Sequence, residues 1–333
     1  SLFGMLTGLS PCYFEPLRRN RFHNIALEVL ERAEYRQSVY YNSPRNYEWI
    51  YRDIIEPTND TFVTIPGRVE DYGPREQRLI DRYIRDLKND SDHLRFDYYL
   101  MNVSHFNYYY PDEFRKFTPD YRPDFRIISG PQQKFRKDRV ELKNRYMNSV
   151  YYADSLLKQL ITEMDIMGRL ENTIIVIAGD HGEEFWEHGS FGHTWGLNNI
   201  QVQPAAMIYY PGIKGGDISY TYTSHQDFLP TVFDLIGISS DREFFTTGKS
   251  LLRYDPDLDY ALTSLGILYF LERNGYSITG DGYKILFRNN MDLNRSPYAI
   301  YDDNDREVDE IDTYRAVDLL MKAACSKRLK QNP

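Results

Sequence analysis

The densest group of metal-ligating and acid–base side chains lies between residues 180 and 193, directly after the apolar stretch 173–178. Asp180 and His181 come first, between two glycines, and His193 follows twelve positions after His181. A carboxylate oxygen beside an imidazole nitrogen suits Zn²⁺ or Mn²⁺, or a harder ion with mostly oxygen ligands. An isolated Asp-His pair is more often a polar turn. Three histidines and four acids within fourteen residues instead favour a functional site.

The element that must position this group is the stretch 173–178, a continuous apolar strand of the kind buried in parallel sheets. Ligands of open α/β sheets bind at the carboxyl ends of the strands. We therefore expect Asp180 and His181 at that edge of a sheet, with the glycines at 179 and 182 allowing close approach of the backbone to a metal or an anion.

Hydrophobic periodicity along the whole chain alternates between helix and strand. It predicts helices at 24–34, 76–88, 139–168, 226–236 and 313–328, strands at 36–41, 96–103, 173–178 and 205–210, and short strands at 260–265, 276–279 and 283–287. Residues 42–72 and 108–132 are proline-rich and polar, which predicts loops. The pattern indicates an α/β fold with a doubly wound domain at 1–250 and a smaller C-terminal α+β subdomain at 251–333.

Composition excludes several classes of protein. The net charge of −9 argues against a nucleic-acid-binding protein, because affinity for phosphates needs a basic face. No apolar run approaches the roughly 20 residues of a membrane span. The two cysteines exclude a four-cysteine zinc site and leave open one Cys12–Cys325 bridge or two thiols.

Several segments together resemble the sulfatase family of the alkaline phosphatase superfamily. The segment that begins at Asp180 is similar to the metal-binding segment of that family. Other similar segments are Leu6-Thr7-Gly8, QPAAMIYYPG at 203–212, SHQDFLPT at 224–231, Gly248-Lys249-Ser250-Leu251-Leu252 and Asp281-Gly282-Tyr283-Lys284. Each segment alone is weakly specific, and the resemblance rests on their combination along nearly the whole chain.

Within the family, the chain is most similar to periplasmic domains of bacterial inner-membrane proteins related to phosphoglycerol and phosphoethanolamine transferases. The resemblance implies an alkaline phosphatase-like, doubly wound and mostly parallel sheet with the smaller C-terminal subdomain. It also implies a periplasmic location and attachment to the inner membrane through a segment absent from this chain.

The resemblance implies a mechanism with one divalent ion, which can be Zn²⁺, Mn²⁺, Mg²⁺ or Ca²⁺. Asp180 and His181 would be metal ligands. His193 would contact the anionic group of the substrate or protonate the leaving group. His105 would flank that anion, although a structural histidine is nearly as well supported. The nucleophile and a further metal-binding acid are expected upstream of Ser1, so the sequence is interpreted as a fragment of a longer protein.

Two functions are consistent with these features. The first is a metal-dependent sulfatase-like hydrolase or transferase that cleaves a sulfate or phosphate ester, with a lipid head group or a sulfated glycan as substrate. The second is a catalytically inactive, membrane-tethered domain that binds or senses lipid or lipopolysaccharide. The 28 arginines against 12 lysines agree with the second function, since guanidinium groups bind phosphate in a bidentate manner.

Overall fold

The structure is a computed structural model, which describes residues 1–14, 17, 23–42, 61–65, 72–90, 93–121, 132–193, 196–215, 220–238, 245–265, 275–288, 298–308, 315 and 318–319. Its helices of four or more residues are α1 (Leu2–Thr7), α2 (Ile25–Arg32), α3 (Tyr72–Asn89), α4 (Arg139–Ile166), α5 (Asn199–Val202) and α6 (Phe228–Leu235). Four of these confirm predicted helices. α1 and the short α5 were not predicted.

The strands are β1 (Arg36–Tyr41), β2 (Thr61–Thr64), β3 (Arg95–Leu100), β4 (Ile175–Ala178), β5 (Glu184–Phe185), β6 (Phe191–Gly192), β7 (Ala206–Tyr209), β8 (Tyr260–Leu265), β9 (Gly275–Gly280), β10 (Tyr283–Arg288) and β11 (Tyr298–Asp302). The expected loop at 42–72 is wrong where β2 lies. Other parts of that loop, and the helix predicted at 313–328 apart from residues 315, 318 and 319, fall outside the described residues.

Backbone contacts divide the chain into two compact units. The first unit comprises Ser1–Leu27, Ile174–Glu184 and Gly192–Pro333, and the second comprises Glu28–Thr173 and Phe185–Phe191. The domain boundary expected at residue 250 stays a prediction.

The second unit is built on a parallel three-stranded sheet in the order β2-β1-β3. Five of the six residues of β1 are buried, as expected for a central strand rich in tyrosine and valine. Helices α3 and α4 bury a shared core, whose fully buried members are Ile80, Ile84, Val103, Tyr110, Tyr152 and Leu156. Val150 of α4 is 42% exposed and lies outside this core.

A buried carboxylate connects α3 to the carboxyl ends of β1 and β3 in this unit. Glu76 is fully buried. It accepts hydrogen bonds from Asn42 Nδ2 at 2.9 Å, Tyr99 Oη at 2.8 Å and the Asn102 backbone N–H at 3.1 Å. Burial raises the pKa of Glu76 to about 7, against the lowering effect of these donors.

This raised pKa predicts a pH-dependent stability. A carboxyl group whose pKa is higher in the folded state stabilises fully below its unfolded pKa, and this stabilisation is lost as the pH rises through about 7. Between pH 5 and pH 8, wild type should lose about 2 kcal/mol of unfolding free energy relative to the neutral isostere Glu76→Gln. Denaturant titrations of both proteins at the two pH values measure the difference. A constant difference would contradict the prediction.

In the first unit, β4 pairs with β7. The pairing is antiparallel and the residues of β4 are half-buried, so the expectation that 173–178 lies buried between parallel neighbours is wrong for the pairing described. Val176 and Ala178 of β4 pack on a small core with Phe228 of α6 and Leu251. The strand still ends at Ala178, so the loop that follows begins where it was predicted.

The C-terminal part of the first unit contains an antiparallel sheet in the order β11-β10-β9-β8. Three of its strands confirm the predicted ones, and β11 was not predicted. One face of the sheet buries Tyr260, Ile278, Ile285, Phe287 and Leu319.

The segment after α1 is joined to residues 246–248 across most of the sequence. Gly8 has a φ of +67° and ends α1, and its carbonyl accepts the N–H groups of Thr247 at 2.9 Å and Gly248 at 3.0 Å. The Ser10 N–H donates to Thr247 Oγ1 at 2.6 Å. A Cβ at residue 8 would lie 2.4 Å from Thr246 Oγ1, so both conformation and space require glycine there.

Lys249 is a buried cation that organises the core next to α6. Its Nζ donates to the carbonyls of Tyr222 and Leu258 at 2.6 Å and of Tyr260 at 3.0 Å. The ammonium group lies 4.0 Å from Asp227 Oδ2 and 4.5 Å from the ring centre of Tyr220. Every donor position is used, as burial of a charge requires.

Replacing Lys249 by Met should therefore destabilise the protein by about 3 kcal/mol or more, because three carbonyls and a carboxylate lose their cation. Urea denaturation measures this loss. The matched control is Lys214→Met at an exposed lysine, which should change the unfolding free energy by less than about 0.5 kcal/mol. Equal effects of the two substitutions would contradict the structural role of Lys249.

Among the helices that the structure describes, none combines the length and apolar character required for a membrane crossing.

Candidate functional site

The candidate site lies in the first unit, on the loop that leaves β4. The Gly179 N–H donates to the Ala205 carbonyl at 3.0 Å and extends the β4–β7 pairing by one residue. The Gly182 N–H then donates to the Gln201 carbonyl of α5 at 2.9 Å. A Cβ on residue 182 would come within 1.8 Å of the Ile200 carbonyl oxygen, so the loop can rest on α5 only through a glycine.

Glu184 anchors the end of this loop. Its side chain is fully buried and accepts Asn198 Nδ2 at 2.9 Å and Gln201 Nε2 at 2.8 Å. Asn199, the first residue of α5, is held in turn by the Lys284 ammonium group at 2.9 Å. Lys284 is 2% exposed and also pairs with Asp305, so the C-terminal sheet supports α5.

Asp180 and His181 present two ligand atoms side by side. His181 Nδ1 lies 3.0 Å from the Gly182 carbonyl, and because a carbonyl oxygen only accepts, Nδ1 carries the proton. Burial lowers the pKa of His181, and nearby His193 lowers it further, which favours the neutral ring. The other nitrogen, Nε2, lies 3.3 Å from Asp180 Oδ2. The unprotonated Nε2 of His181 therefore lies next to a carboxylate oxygen of Asp180.

Glu183 and His193 form a second pair beside the first. His193 Nδ1 lies 2.7 Å from Glu183 Oε2, so Nδ1 donates to the carboxylate. The imidazole rings of His181 and His193 are stacked with centroids 3.9 Å apart. This pair is more buried than the first, with side-chain exposures of 13% for His193 and 6% for Glu183.

The donor atoms fit a divalent cation. Two ligand atoms 3.3 Å apart match the edge of a tetrahedron around an ion with bonds of about 2.0–2.1 Å. One ligand atom each from His181, Glu183 and His193 also lie within 4.8 Å of one another. His181 belongs to both sets. Two imidazoles and carboxylates suit Zn²⁺ or Mn²⁺.

Two further groups fix the backbone around the loop. His225 Nε2 donates to the Gly179 carbonyl at 2.8 Å, and burial lowers the pKa of His225 to about 4, so its ring is neutral. Ser1 Oγ donates to the Asp180 carbonyl, which places the start of α1 beside the same loop. Both groups hold the loop through its backbone carbonyls.

His105 lies in the second unit, in the turn that follows β3. Its backbone N–H donates to the Asn102 carbonyl at 3.1 Å, and its carbonyl accepts the Tyr108 N–H at 2.8 Å. Its side chain is exposed and packs edge-on against Phe106. The turn is therefore well defined, and the imidazole is accessible to solvent.

Of the four site residues predicted from sequence, the structure brings Asp180, His181 and His193 together within the first unit. The roles assigned to them and to His105 stay predictions. Sequence reasoning did not assign Glu183, although it stands within the same dense polar segment. Glu184 was also not assigned, because its amide partners Asn198 and Gln201 lie at the N-cap and within α5, 14 and 17 residues further along the chain.

Known proteins share sequence similarity with this chain. The sequence pattern of the Sulfatase family matches residues 1–238. N-acetylglucosamine-6-O-sulfatase of Bacteroides thetaiotaomicron is 30% identical over 112 residues, which is 34% of this chain and 19% of that protein. The lipoteichoic acid synthase-like protein YvgJ of Bacillus subtilis is 24% identical over 302 residues, or 82% of this chain and 42% of that protein. The chain thus spans less than half the length of these relatives.

Solved structures support the fold. The phosphonate monoester hydrolase of Agrobacterium radiobacter has a TM-score of 0.68 at 15% identity, covering 96% of this chain and 83% of its own. The C-terminal periplasmic domain of EcEptC from Escherichia coli, solved in complex with Zn, has a TM-score of 0.50 at 15% identity, covering 70% of this chain and 67% of its own. The fold is therefore of the sulfatase and alkaline phosphatase type, as the sequence predicted.

Proposed function

Because this chain belongs to the sulfatase family, we propose that it forms part of a metal-dependent hydrolase or transferase that cleaves a sulfate or phosphate ester. Members of this family bind a metal. The observation that carries the proposal is the convergence of Asp180 and His181 with the Glu183–His193 pair within the first unit, where the ligand atoms of Asp180 and His181 are 3.3 Å apart.

In this proposal, Asp180 and His181 hold the ion, which when bound would neutralise the equatorial oxygens of the ester and activate the attacking group. Gly182 and the His225 hydrogen bond to Gly179 keep the loop in place. Glu183 orients His193 through Nδ1, so that Nε2 can contact the anion or deliver a proton to the leaving oxygen.

Two parts of the mechanism rest on the resemblance alone. We propose that the nucleophile is a Ser, Thr or modified Cys that precedes Ser1 in the protein, together with a further metal-binding acid. His105 would contact the substrate anion from the turn after β3. An exposed imidazole held on a defined turn is compatible with that role.

The substrate class is inferred from the relatives. Their names include N-acetylglucosamine-6-O-sulfatase and a lipoteichoic acid synthase-like protein, so we propose an anionic ester on a sugar or a lipid head group as the substrate class. Homologues also include a periplasmic domain. We propose the same location for this chain, with attachment to the inner membrane through another part of the protein.

The test uses the full-length protein. Metal content after dialysis is measured by elemental mass spectrometry, and cleavage of an aryl sulfate, an aryl phosphodiester and a glycerophospholipid is assayed after loading with Zn²⁺, Mn²⁺, Mg²⁺ or Ca²⁺. Stoichiometric metal with cleavage of one ester class supports the proposal. Absence of both metal and cleavage would contradict it and would leave the lipid-binding alternative, which the relatives do not favour.

A further inference from the structure

Glu76 holds Asn102, the residue at which the turn that carries His105 begins. Asn102 donates its backbone N–H to Glu76 Oε2 at 3.1 Å. The Asn102 carbonyl then accepts the His105 N–H at 3.1 Å. One hydrogen bond at each end of Asn102 thus connects the buried carboxylate of α3 to the backbone of His105.

The Glu76 carboxylate also accepts hydrogen bonds from groups at the carboxyl ends of β1 and β3. Asn42, directly after β1, donates Nδ2 to Glu76 at 2.9 Å, and its carbonyl accepts Asn102 Nδ2 at 2.6 Å. Tyr99 of β3 donates its hydroxyl to the other carboxylate oxygen at 2.8 Å. The ends of two parallel strands and the turn after β3 therefore share one acceptor group, at the sheet edge where α/β proteins bind ligands.

From these contacts we propose that Glu76 is a positioning residue, which fixes the Asn102–His105 turn and thereby the place of the His105 imidazole. The proposal rests on the proposed function for its catalytic consequence. A buried carboxylate with three donors defines a turn more sharply than an apolar side chain, because loss of the acceptor leaves the Asn102 N–H unpaired and exposes the turn to fluctuation.

The choice of variants follows from the hydrogen-bond pattern. Glu76→Met has a similar length and removes both acceptor oxygens. Glu76→Gln keeps one carbonyl oxygen for Asn42 and Asn102, while the Tyr99 hydroxyl can reverse and accept from the new amide group. Gln should therefore rescue the turn, and Met should not. Gln77→Ala, one residue along the same helix, is the control, because Gln77 contacts Asp81 and Gln159 instead.

The first readout is independent of activity. Hydrogen exchange of the backbone amides at 102–105 is measured in the full-length protein. Glu76→Met should speed exchange there about tenfold, and Glu76→Gln and Gln77→Ala should leave it within about twofold of wild type. If the Met variant does not fold, Tyr99→Phe removes one of the donors and should speed the same amides about threefold. Unchanged exchange in the folded variants would overturn the proposal.

The second readout is a double-mutant cycle on kcat/KM. Introduced into the wild-type protein, Glu76→Met should lower kcat/KM about tenfold. Introduced into the His105→Ala variant, it should lower kcat/KM less than about twofold, because the imidazole that Glu76 positions is already absent. Effects that multiply would show that Glu76 acts elsewhere and would overturn the proposal. An inactive wild type, or an unaffected His105→Ala variant, would instead count against the proposed function, while the exchange experiment still decides whether Glu76 holds the turn.

Discussion

Replacing His181 by Ala should abolish stoichiometric metal binding and lower ester cleavage by about 10³-fold or more, because His181 contributes a ligand atom to both candidate sets. Asp180→Ala should have the same double effect, since its carboxylate supplies the neighbouring ligand atom. Metal content and kcat/KM of the full-length protein are measured together. Activity that survives either substitution would contradict the site.

The matched control for this prediction is His188→Ala. His188 is an exposed histidine in the same polar segment, outside both sets of ligand atoms. The substitution removes the same number of atoms and the same type of group. It should leave metal content unchanged and kcat/KM within about twofold. Equal loss in both variants would indicate that the whole segment, and not a ligand, had been disturbed.

Replacing His193 by Ala should leave the metal in place and still lower turnover by about 10²–10⁴-fold, the range typical of a lost general acid. Its hydrogen bond to Glu183 through Nδ1 is the geometry of an oriented proton donor. The measurement compares metal content with kcat for a substrate with a poor leaving group and one with a good leaving group. A general acid predicts a much smaller loss for the good leaving group.

Glu183→Gln distinguishes two roles of the Glu183–His193 pair, proton donation and metal binding. If Glu183 only orients His193, the Gln variant should retain metal and lose about tenfold in kcat, since the amide oxygen can still accept from Nδ1. If the ion instead is bound by His181, Glu183 and His193, both His193→Ala and Glu183→Gln will lose metal. That result would move His193 from proton donor to ligand.

Sequence alone predicted the parts of this site that depend on local order. The apolar run ending at Ala178 located the loop, and the types of Asp180, His181 and His193 indicated metal and acid–base chemistry. Strand β1 and three strands of the C-terminal sheet were also predicted, because alternating or continuous apolar patterns within a few residues define them. The resemblance then supplied the family, which the match over residues 1–238 confirmed.

Features that depend on distant partners were not predicted. The role of Glu183 depends on its hydrogen bond to His193, ten residues further along the chain. The role of Glu184 depends on its hydrogen bonds to Asn198 and Gln201, which form when α5 packs on Gly182. The antiparallel pairing of β4 with β7 has no signature in a run of four apolar residues. Likewise, the sequence around Glu76 predicts a helix and does not indicate that this residue is buried. Its burial depends on strand ends more than twenty residues away along the chain.

The hydrogen bonds between Gly8 and residues 246–248 can form only late in synthesis, because their partners are far apart along the chain. About 238 residues separate the partners, so at the ~5–20 residues per second of translation the α1 segment waits roughly 12 to 48 s for them. During that interval Phe3 and Leu6, which are buried in the finished protein, have no completed core to enter. The nascent chain should therefore be a client for chaperones until its last third has emerged, even though the second unit can condense earlier from its own local contacts.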